Sequence, residues 1–332
     1  MKKVKGEDMI KVGIVGYGNL GKGVSLALTK ATDMECVGIF TRRNPESVKP
    51  ITDLKVYSIE KLKEFKGKID VLLLCGGSAT DLPKNTAEIL KDFNTVDSFD
   101  THAKIPEYYE KLEKVALESG TLSAISIGWD PGLFSIARML FGAILPDGKD
   151  YTFWGKGVSQ GHSDAIRRID GVVNAIQYTI PKEKALESVR NGENPDLKTG
   201  DKHLRECFVA VSEDADKSRI EKEIKEMPNY FADYETIVNF TTDEEVKKMQ
   251  QKLSHGGFVI RSGNTTNENA ELLELSLKLD SNPEFTGSVL VAYGRAVARL
   301  AKEGKTGVVT VFDVPIKYLS PKSDEDLRKN LL

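Results

Sequence analysis

The sequence predicts an α/β protein in which a doubly wound parallel sheet is followed by a second, α+β domain. Apolar strand-like runs alternate with amphipathic helical stretches from Ile10 to Ile127, and this pattern changes after about Asp150. Repeated βα units favour a parallel sheet, because right-handed crossovers place the helices over its faces. The length of 332 residues fits two domains, at about 150 residues per domain.

The first domain opens with a predicted strand, helix and strand. Ile10–Val15 is a short β-branched run closed by Gly16, Leu20–Thr29 is amphipathic, and Glu35–Phe40 is a second apolar run. The alternation then continues with strand Val71–Cys75, helix Pro83–Lys91, strand Thr95–Val96, helix Pro106–Ser119 and strand Leu122–Ile127. This order predicts a first domain over residues 9–127.

The second domain is predicted over residues 128–289, with longer polar or helical connections between its strands. The candidate strands are Tyr151–Trp154, Ala175–Ile180, Cys207–Val211 and Tyr234–Asn239, and a charged helix is expected at Lys217–Glu226. A last helix, Ser288–Lys302, carries an apolar stripe with Arg295 and Arg299 expected on the opposite side. The C-terminal segment of about 290–332 could pack back on the first domain.

Composition excludes several classes of protein. Hydrophobic residues make up 40% and charged residues 29%, which is ordinary globular usage. The formal net charge of −3 indicates neither a nucleic-acid partner nor binding to an anionic membrane surface. No apolar run reaches the roughly 18 residues of a membrane span. The start of the chain lacks the apolar stretch of a signal peptide, so we expect a cytoplasmic protein; Met9 is a second possible start, which would make residues 1–8 a loose leader.

The cysteines and histidines predict neither disulfides nor a metal site. Cys36, Cys75 and Cys207 are an odd number in unrelated contexts, and two of them lie in strand-like runs, which argues for reduced, buried thiols. None of the four histidines shows an i, i+4 or cysteine-containing ligand spacing. We therefore expect no metal.

A glycine motif stands between the first predicted strand and the first predicted helix. Gly16-Tyr17-Gly18-Asn19-Leu20-Gly21 fits the pattern G-x-G-x-x-G in the context that dinucleotide binding requires. The first glycine permits a tight turn, the second lets the backbone approach a pyrophosphate, and the third allows close packing of strand and helix. The motif predicts a Rossmann-type dinucleotide-binding domain, with a simple glycine turn as the alternative.

The residues after the second predicted strand indicate which dinucleotide binds. A carboxylate at this point would bind the ribose 2′-hydroxyl of NAD, but the chain has Thr41-Arg42-Arg43. Two guanidinium groups can make charge-assisted bonds to a 2′-phosphate. The sequence therefore predicts NADP as cofactor, with two solvated loop arginines as the alternative.

Two acidic loops follow neighbouring predicted strands, where the catalytic residues of such folds tend to lie. They are Asp97-Ser98-Phe99-Asp100 and Gly128-Trp129-Asp130-Pro131-Gly132. Their carboxylates could converge on a substrate ammonium group. The alternatives are a turn or cap role for Asp97 or Asp100, and an N-cap role for Asp130 with Pro131 as the first helical residue.

With these motifs the sequence resembles the meso-diaminopimelate D-dehydrogenases, a family of NADP-dependent bacterial amino acid dehydrogenases of lysine and cell-wall metabolism. The resemblance spans nearly the whole chain after Met9. Beyond the motifs above, it rests on Gly77-Ser78-Ala79-Thr80-Asp81, Thr152-Phe153-Trp154-Gly155, Ser159-Gln160-Gly161-His162-Ser163-Asp164 and His255-Gly256-Gly257. The string from Ser159 to Asp164 is much more specific than the glycine pattern.

The resemblance implies oxidative deamination at the D-centre of meso-2,6-diaminopimelate, giving L-2-amino-6-oxopimelate, ammonium and NADPH, with reductive amination as the reverse. It implies that Asp100 and Asp130 hold the D-centre amine, that Trp154, Gln160 and Gly161 border that end, and that Thr179, Arg205, His255 and Asn282 secure the L-centre. To the cofactor it assigns, besides Gly16 to Gly21 and Thr41 to Arg43, the residues Cys75, Ser78, Ser98, Trp129 and Pro131. It also implies a homodimer formed through the second domain.

Chemistry supports these implied roles. An arginine can bind a carboxylate in bidentate fashion. A carboxylate pair can accept the proton that the bound ammonium must lose, and either aspartate could take it. Without the resemblance, a surface charge at Arg205 and a turn at His255 are the ordinary interpretations.

Two classes of function are the alternatives: another two-domain NADP dehydrogenase, and a non-catalytic NADP-binding regulator or metabolite sensor. Examples of the first class are semialdehyde dehydrogenase and dihydrodipicolinate reductase. A semialdehyde dehydrogenase needs an activated cysteine nucleophile, and none of the three cysteines lies in a sequence context typical of one. A non-catalytic NADP-binding regulator would keep the glycine loop but would not need the polar residues that bind a substrate. The joint presence of Asp100, Asp130 and Arg205 disfavours that regulator.

Overall fold

The computed structural model describes residues 9–332, so the expectation that residues 1–8 form a loose leader lies outside the described range. The chain divides into two compact units. The first comprises the described residues up to Ile136 together with Pro283–Leu332, and the second is Ala137–Asn282. Both limits of the second unit lie inside the range 128–289 predicted for the second domain.

Strands and helices alternate in the first unit and are mixed in the second. The strands of the described chain are β1 (Ile10–Val15), β2 (Met34–Thr41), β3 (Val56–Ser58), β4 (Val71–Leu74), β5 (Thr95–Asp97), β6 (Leu122–Ala124), β7 (Gly148–Trp154), β8 (Gly157–Val158), β9 (Val172–Pro181), β10 (His203–Val211), β11 (Glu235–Phe240), β12 (His255–Asn264), β13 (Ala270–Leu279) and β14 (Gly307–Val309). The helices are α1 (Asn19–Leu28), α2 (Asp81–Leu90), α3 (Ile105–Ser119), α4 (Leu133–Ile144), α5 (Gln160–Arg167), α6 (Glu183–Arg190), α7 (Thr199–Lys202), α8 (Lys217–Lys225), α9 (Asp243–Gln250), α10 (Asn282–Lys302) and α11 (Asp324–Leu331).

A seven-stranded parallel sheet organises the first unit, in the order β14-β6-β5-β4-β1-β2-β3. The chain leaves from β1 toward one edge and later from β4 toward the other, which is the topology of a doubly wound fold. The carboxyl ends of the strands therefore share one edge of the sheet. The predicted parallel sheet is confirmed.

Alternate side chains of β4 show why helices cover both faces. Val71 and Leu73 pack in a core with residues of α1 and α10, whereas Leu72 and Leu74 pack in a second core with residues of α2 and α3. All four are at most 2% exposed. Because successive side chains of a strand point to opposite faces, this continuous apolar run needs a helix layer on each side.

Helix α10 contains the predicted apolar stripe but places one arginine differently. Arg295 is only 5% exposed, and its guanidinium donates two hydrogen bonds to the carboxylate of Asp33, at 2.6 and 2.8 Å. The prediction that Arg295 lies opposite the buried stripe is wrong, because a bidentate carboxylate partner allows the charge to be buried. This pair joins α10 to the residue that precedes β2.

The end of β6 also differs from the prediction. The strand stops at Ala124 instead of Ile127, because Ser126 adopts a left-handed conformation with φ of 58°. Ile125 and Ile127 remain fully buried. The backbone turns here into the loop that carries Asp130.

The second unit holds two smaller sheets, as expected of an α+β domain. One has the order β11-β10-β9-β8, in which only the β10–β11 pair is parallel, and the other is the antiparallel sheet β13-β12-β7. Strands β12 and β13 were not predicted. The row of paired residues across the first of these sheets positions the candidate substrate groups.

Candidate active site

The glycine loop has the shape that a pyrophosphate needs. Gly16 has φ of 89°, and a side chain there would meet the Cys75 carbonyl oxygen at 3.3 Å, whereas the space beside Gly18 is open. Helix α1 begins at Asn19 without a side-chain cap, so its first amides can bond an anion. Leu20 packs against the core, and the Tyr17 hydroxyl lies inward, 3.0 Å from Ser25 Oγ. The loop therefore offers backbone rather than side-chain contacts.

A cavity of about 660 Å³ opens beside this loop. Its lining residues come largely from the ends of β1, β2 and β4 and from α2, and they include Gly16, Tyr17, Gly18, Thr41, Arg42, Arg43, Cys75, Asp81 and Asn85. These strand ends lie at the edge of the sheet where open α/β folds bind their ligands. The cavity is thus the expected place for the adenosine half of a dinucleotide.

The Thr41-Arg42-Arg43 turn faces this cavity. Thr41 Oγ1 accepts a hydrogen bond from the Arg43 amide at 3.1 Å, and Arg43 Nη2 donates to the Tyr17 carbonyl at 2.7 Å. Arg42 is 62% exposed and forms an ion pair with Asp81. The structure therefore brings both guanidinium groups to the cavity, and the donor set fits a 2′-phosphate.

The buried thiol of Cys75 lines the same cavity. Burial raises the pKa of Cys75 well above its usual range and that of Cys207 to about 12. Within residues 9–332 all three cysteines are free thiols, and Cys36 is only partly buried. Protonated thiols of this kind supply no nucleophile, which argues against a semialdehyde dehydrogenase.

Ser78 connects the loops that follow β4 and β5. Its hydroxyl donates to the Ser98 carbonyl at 3.4 Å and accepts from the Asp100 amide at 3.1 Å. Asp100 itself is exposed. The bonds of Ser78 fix the backbone on which the Asp100 carboxylate stands.

Asp97 connects the two acidic loops; without the family resemblance, the sequence offered it the same alternatives as Asp100. Its carboxylate is fully buried and accepts hydrogen bonds from the Phe99 amide at 2.9 Å, the Ser126 amide at 3.2 Å and the Tyr108 hydroxyl at 2.8 Å. Burial raises the pKa of Asp97 to about 6, although these donors oppose the shift. Asp97 therefore has the turn-forming role that was the alternative for it, and it ties the loop after β5 to the loop after β6.

The Asp130 loop is a tight turn, and its N-cap interpretation is wrong. Trp129 and Gly132 form an isolated bridge around a cis Asp130–Pro131 peptide, and α4 begins only at Leu133. Pro131 is therefore not the first helical residue. Trp129 is buried against Phe134 in an edge-to-face contact, which anchors the turn. Asp130 is partly exposed at the end of this anchored turn.

In the second unit, three of the predicted substrate residues, Thr179, Arg205 and His255, lie close together. Gly157, Thr179 and Arg205 are paired neighbours across β8, β9 and β10. Arg205 Nη1 donates to Thr179 Oγ1, and a side chain on Gly157 would lie 2.3 Å from the ring of His255. The absent side chain of Gly157 leaves room for that ring. The sheet thus brings Thr179, Arg205 and His255 together, although 76 residues separate the first from the last along the chain.

Arg205 is a buried cation without an anionic partner. It is 7% exposed, its guanidinium lies 3.9 Å from the centre of the Tyr234 ring, and its Nε has no hydrogen-bond partner. Within the described chain no carboxylate forms an ion pair with it, and burial lowers its pKa. Buried charges are ordinarily paired, so an anionic ligand is the missing partner.

His203 belongs to this group and was missed in the sequence. Its Nε2 accepts a hydrogen bond from the Trp154 amide at 2.8 Å, and the two rings stack at 5.3 Å. Burial, with the nearby charges of Arg205 and Lys202, lowers the pKa of His203 to about 3, which keeps it neutral and able to accept. The available signal was its position two residues before Arg205, since such residues face the same side of a strand.

The remaining predicted residues lie at element ends. Gln160 and Gly161 are exposed at the start of α5, next to His162, whose Nδ1 lies 2.7 Å from Ser159 Oγ. Burial and the Arg205 charge lower the pKa of His162 to about 4. Asn282 is the first residue of α10, and its amide donates to the Leu253 carbonyl at 2.8 Å.

Residues 9–332 contain neither a cluster of metal ligands nor a membrane-spanning helix. No group of three or more histidine, cysteine or acidic side chains there could hold a metal ion. No helix in the same range is long and apolar enough to cross a membrane.

Comparisons with known proteins identify one family of similar chains. Residues 128–281 match the family described as the diaminopimelic acid dehydrogenase C-terminal domain. The chain is 60% identical over 98% of its length to the meso-diaminopimelate D-dehydrogenase of Acetivibrio thermocellus, of which it covers 98%. It is similar to the solved DAP dehydrogenase of C. glutamicum in complex with DAP (42% identity, TM-score 0.91, 98% and 100% of the two chains). It is also similar to an engineered D-amino acid dehydrogenase bound to NADP⁺ (41% identity, TM-score 0.86, 98% and 100%).

Proposed function

The chain belongs to the meso-diaminopimelate D-dehydrogenase family, and from this premise we propose that it oxidatively deaminates the D-centre of meso-2,6-diaminopimelate with NADP. Hydride transfer leaves an imine, which one water hydrolyses, so the products are L-2-amino-6-oxopimelate, ammonium and NADPH; the reverse reaction is reductive amination. The enzyme thereby acts in lysine and cell-wall precursor metabolism. The observation that carries the proposal is the buried guanidinium of Arg205, which forms no ion pair with any carboxylate of residues 9–332.

Arg205 and its neighbours fit the L-centre of the substrate. An α-carboxylate would supply an anion for Arg205. The guanidinium already bonds to Thr179, and the ring of His255 lies beside Gly157, the strand neighbour of Thr179, so both residues are proposed to add polar contacts. Asn282 is proposed to complete this end, with a side chain that can donate or accept. Trp154, Gln160 and Gly161 are proposed to border the D-centre.

The first unit is proposed to hold NADP through the glycine loop and the arginine turn. Gly16 to Gly21 would carry the pyrophosphate, Thr41 to Arg43 the 2′-phosphate, and Cys75, Ser78, Ser98, Trp129 and Pro131 the remaining contacts. When bound, the nicotinamide accepts a hydride from the D-centre carbon. The chain's own task is to position the substrate and to move its proton.

Asp100 and Asp130 are proposed as the catalytic carboxylates. The bound ammonium must lose a proton so that its lone pair can assist departure of the hydride, and a carboxylate within hydrogen-bond reach can accept that proton. Ser78 and Asp97 hold the Asp100 loop, and Trp129 anchors the Asp130 turn. The two carboxylates thus stand on fixed backbone, which favours a defined geometry for the amine.

We further propose that the enzyme is a cytoplasmic homodimer formed through the second unit. Helix α4 exposes Met139, Leu140 and Ile144 at 50, 45 and 60%, an apolar face that a second copy could bury. Three free thiols suit a reducing compartment. Sedimentation of the wild type and of Leu140→Glu tests the dimer: an active wild-type monomer at assay concentration would contradict it.

Turnover of meso-diaminopimelate with NADP tests the proposed function. The purified chain should form one NADPH and one ammonium for each substrate consumed, and NAD should support far less turnover. NADP binding without turnover of any diaminopimelate isomer would instead support the non-catalytic regulator.

A further inference from the structure

Asp81 places a negative charge in the cavity proposed for the 2′-phosphate. It is the first residue of α2 and ends the string Gly77-Ser78-Ala79-Thr80-Asp81. Its Oδ1 accepts a hydrogen bond from Arg42 Nη2, and its Oδ2 accepts one from the Gly77 amide at 3.2 Å. The ion pair therefore spans the cavity from β2 to α2.

In this pair, Nη2 of Arg42 is already hydrogen-bonded to the Asp81 carboxylate. Although partial burial opposes it, the bonds from Arg42 and Gly77 hold the pKa of Asp81 below its usual range, so the carboxylate is charged at neutral pH. Arg43 is held separately, by the Tyr17 carbonyl. A 2′-phosphate that approaches Arg42 must therefore take the place of Asp81 or share the guanidinium with it.

We propose that Asp81 is a specificity-determining residue: its carboxylate competes with the 2′-phosphate for Arg42 and so lowers the affinity for NADP relative to NAD. This inference rests on the proposed role of Arg42 in cofactor binding. Both side chains are partly solvated, at 62% and 32% exposure. The free energy of the competition should therefore equal that of an exposed ion pair. By that measure, losing the competitor tightens NADP binding about two- to five-fold.

Asp81→Asn tests the competition with little change of shape. The asparagine keeps an oxygen that can accept the Gly77 bond but loses the charge. We expect the Kd for NADP, measured by calorimetry, to fall about two- to five-fold, with a larger effect at low ionic strength because salt screens the exposed pair. The Kd for NAD should change less than two-fold.

Asp92→Asn is the matched control. Asp92 forms an ion pair of similar exposure with Lys66, outside the cavity, so its loss should leave both Kd values unchanged. Unchanged NADP affinity in Asp81→Asn would overturn the proposal. Weaker NADP affinity would also overturn it, because Asp81 would then orient Arg42 for the phosphate.

A double-mutant cycle separates this proposal from the function on which it rests. If Arg42→Ala alone leaves the Kd for NADP unchanged, the cofactor role of Arg42 fails. If Arg42→Ala weakens NADP binding, the gain from Asp81→Asn should vanish in the Arg42→Ala background. A gain that persists there would overturn competition for Arg42, since Asp81 would then act directly on the phosphate.

Discussion

Replacing Arg205 with methionine separates a substrate-binding role from a structural one. The substitution removes a buried cation but keeps an unbranched side chain that fills the inner part of the same space. It loses the bond to Thr179 Oγ1, worth about 1.5–3 kcal/mol, and the contact with the Tyr234 ring, worth about 0.5–2 kcal/mol. It also relieves several kcal/mol of desolvation of a charge that no carboxylate of residues 9–332 pairs with. These contributions offset one another, so the free energy of unfolding should change by less than about 2 kcal/mol.

The substrate should respond much more strongly. Truncating one partner of a buried charge pair costs about 2–5 kcal/mol, so KM for meso-diaminopimelate should rise at least about 30-fold. We expect the main effect in KM because Arg205 is proposed to bind the end of the substrate that does not react. Initial rates followed by NADPH absorbance, together with urea unfolding, measure both quantities.

Arg261→Met is the matched control for this prediction. Arg261 is 6% exposed, close to the 7% of Arg205, but it bonds to Asp150 at 3.0 Å and to the Pro146 carbonyl at 2.9 Å. Its loss should lower the free energy of unfolding and leave KM nearly unchanged. If Arg205→Met behaves in the same way, with KM within about three-fold of wild type, the substrate role of Arg205 is refuted.

Three further predictions concern the first unit. Replacing Arg42 and Arg43 together with alanine should weaken NADP binding far more than NAD binding, and equal losses in the two Kd values would reject their phosphate role. Asp130→Asn and Asp100→Asn should each lower kcat/KM by roughly 100-fold or more with near-normal NADP affinity and stability; near-wild-type turnover in both would remove the carboxylate pair from the mechanism. Asp97, with its folded pKa raised to about 6, takes up a proton more readily when folded, so its ionisation should cost stability as pH rises from about 4 to 7. Relative to Asp97→Asn, the wild-type free energy of unfolding should fall over that range by on the order of 3 kcal/mol, and a pH-independent difference would contradict the buried charge.

Periodicity predicted the elements whose burial pattern is simple. The strand Val71–Leu74 is apolar on both faces, and the glycine motif lies between a predicted strand and a predicted helix, as dinucleotide binding requires. Both were therefore identified from local sequence alone. Strands β12 and β13 were missed. In β12 glycines and polar residues interrupt the apolar residues, and β13 is mostly exposed on a sheet edge.

Contacts distant in sequence account for the other differences. Arg295 is buried because Asp33, 262 residues away, pairs with it, and no local pattern reports such a partner. The same holds for His203, whose stacking on Trp154 depends on the meeting of two sheets. The family resemblance supplied Thr179, Arg205 and His255 as substrate residues; the row of paired residues across β8, β9 and β10 now gives their grouping a physical basis.

Chiral analysis of the product tests the central claim most directly. The claim is that this chain oxidises only the D-centre of meso-2,6-diaminopimelate, because the two ends of the substrate meet different residues. With NADP as oxidant, the amino keto acid formed from the meso isomer should retain the L-configuration at its remaining amine, and the LL isomer should yield no NADPH. Comparable attack at the L-centre, seen as a mixture of product enantiomers or as turnover of the LL isomer, would contradict the account.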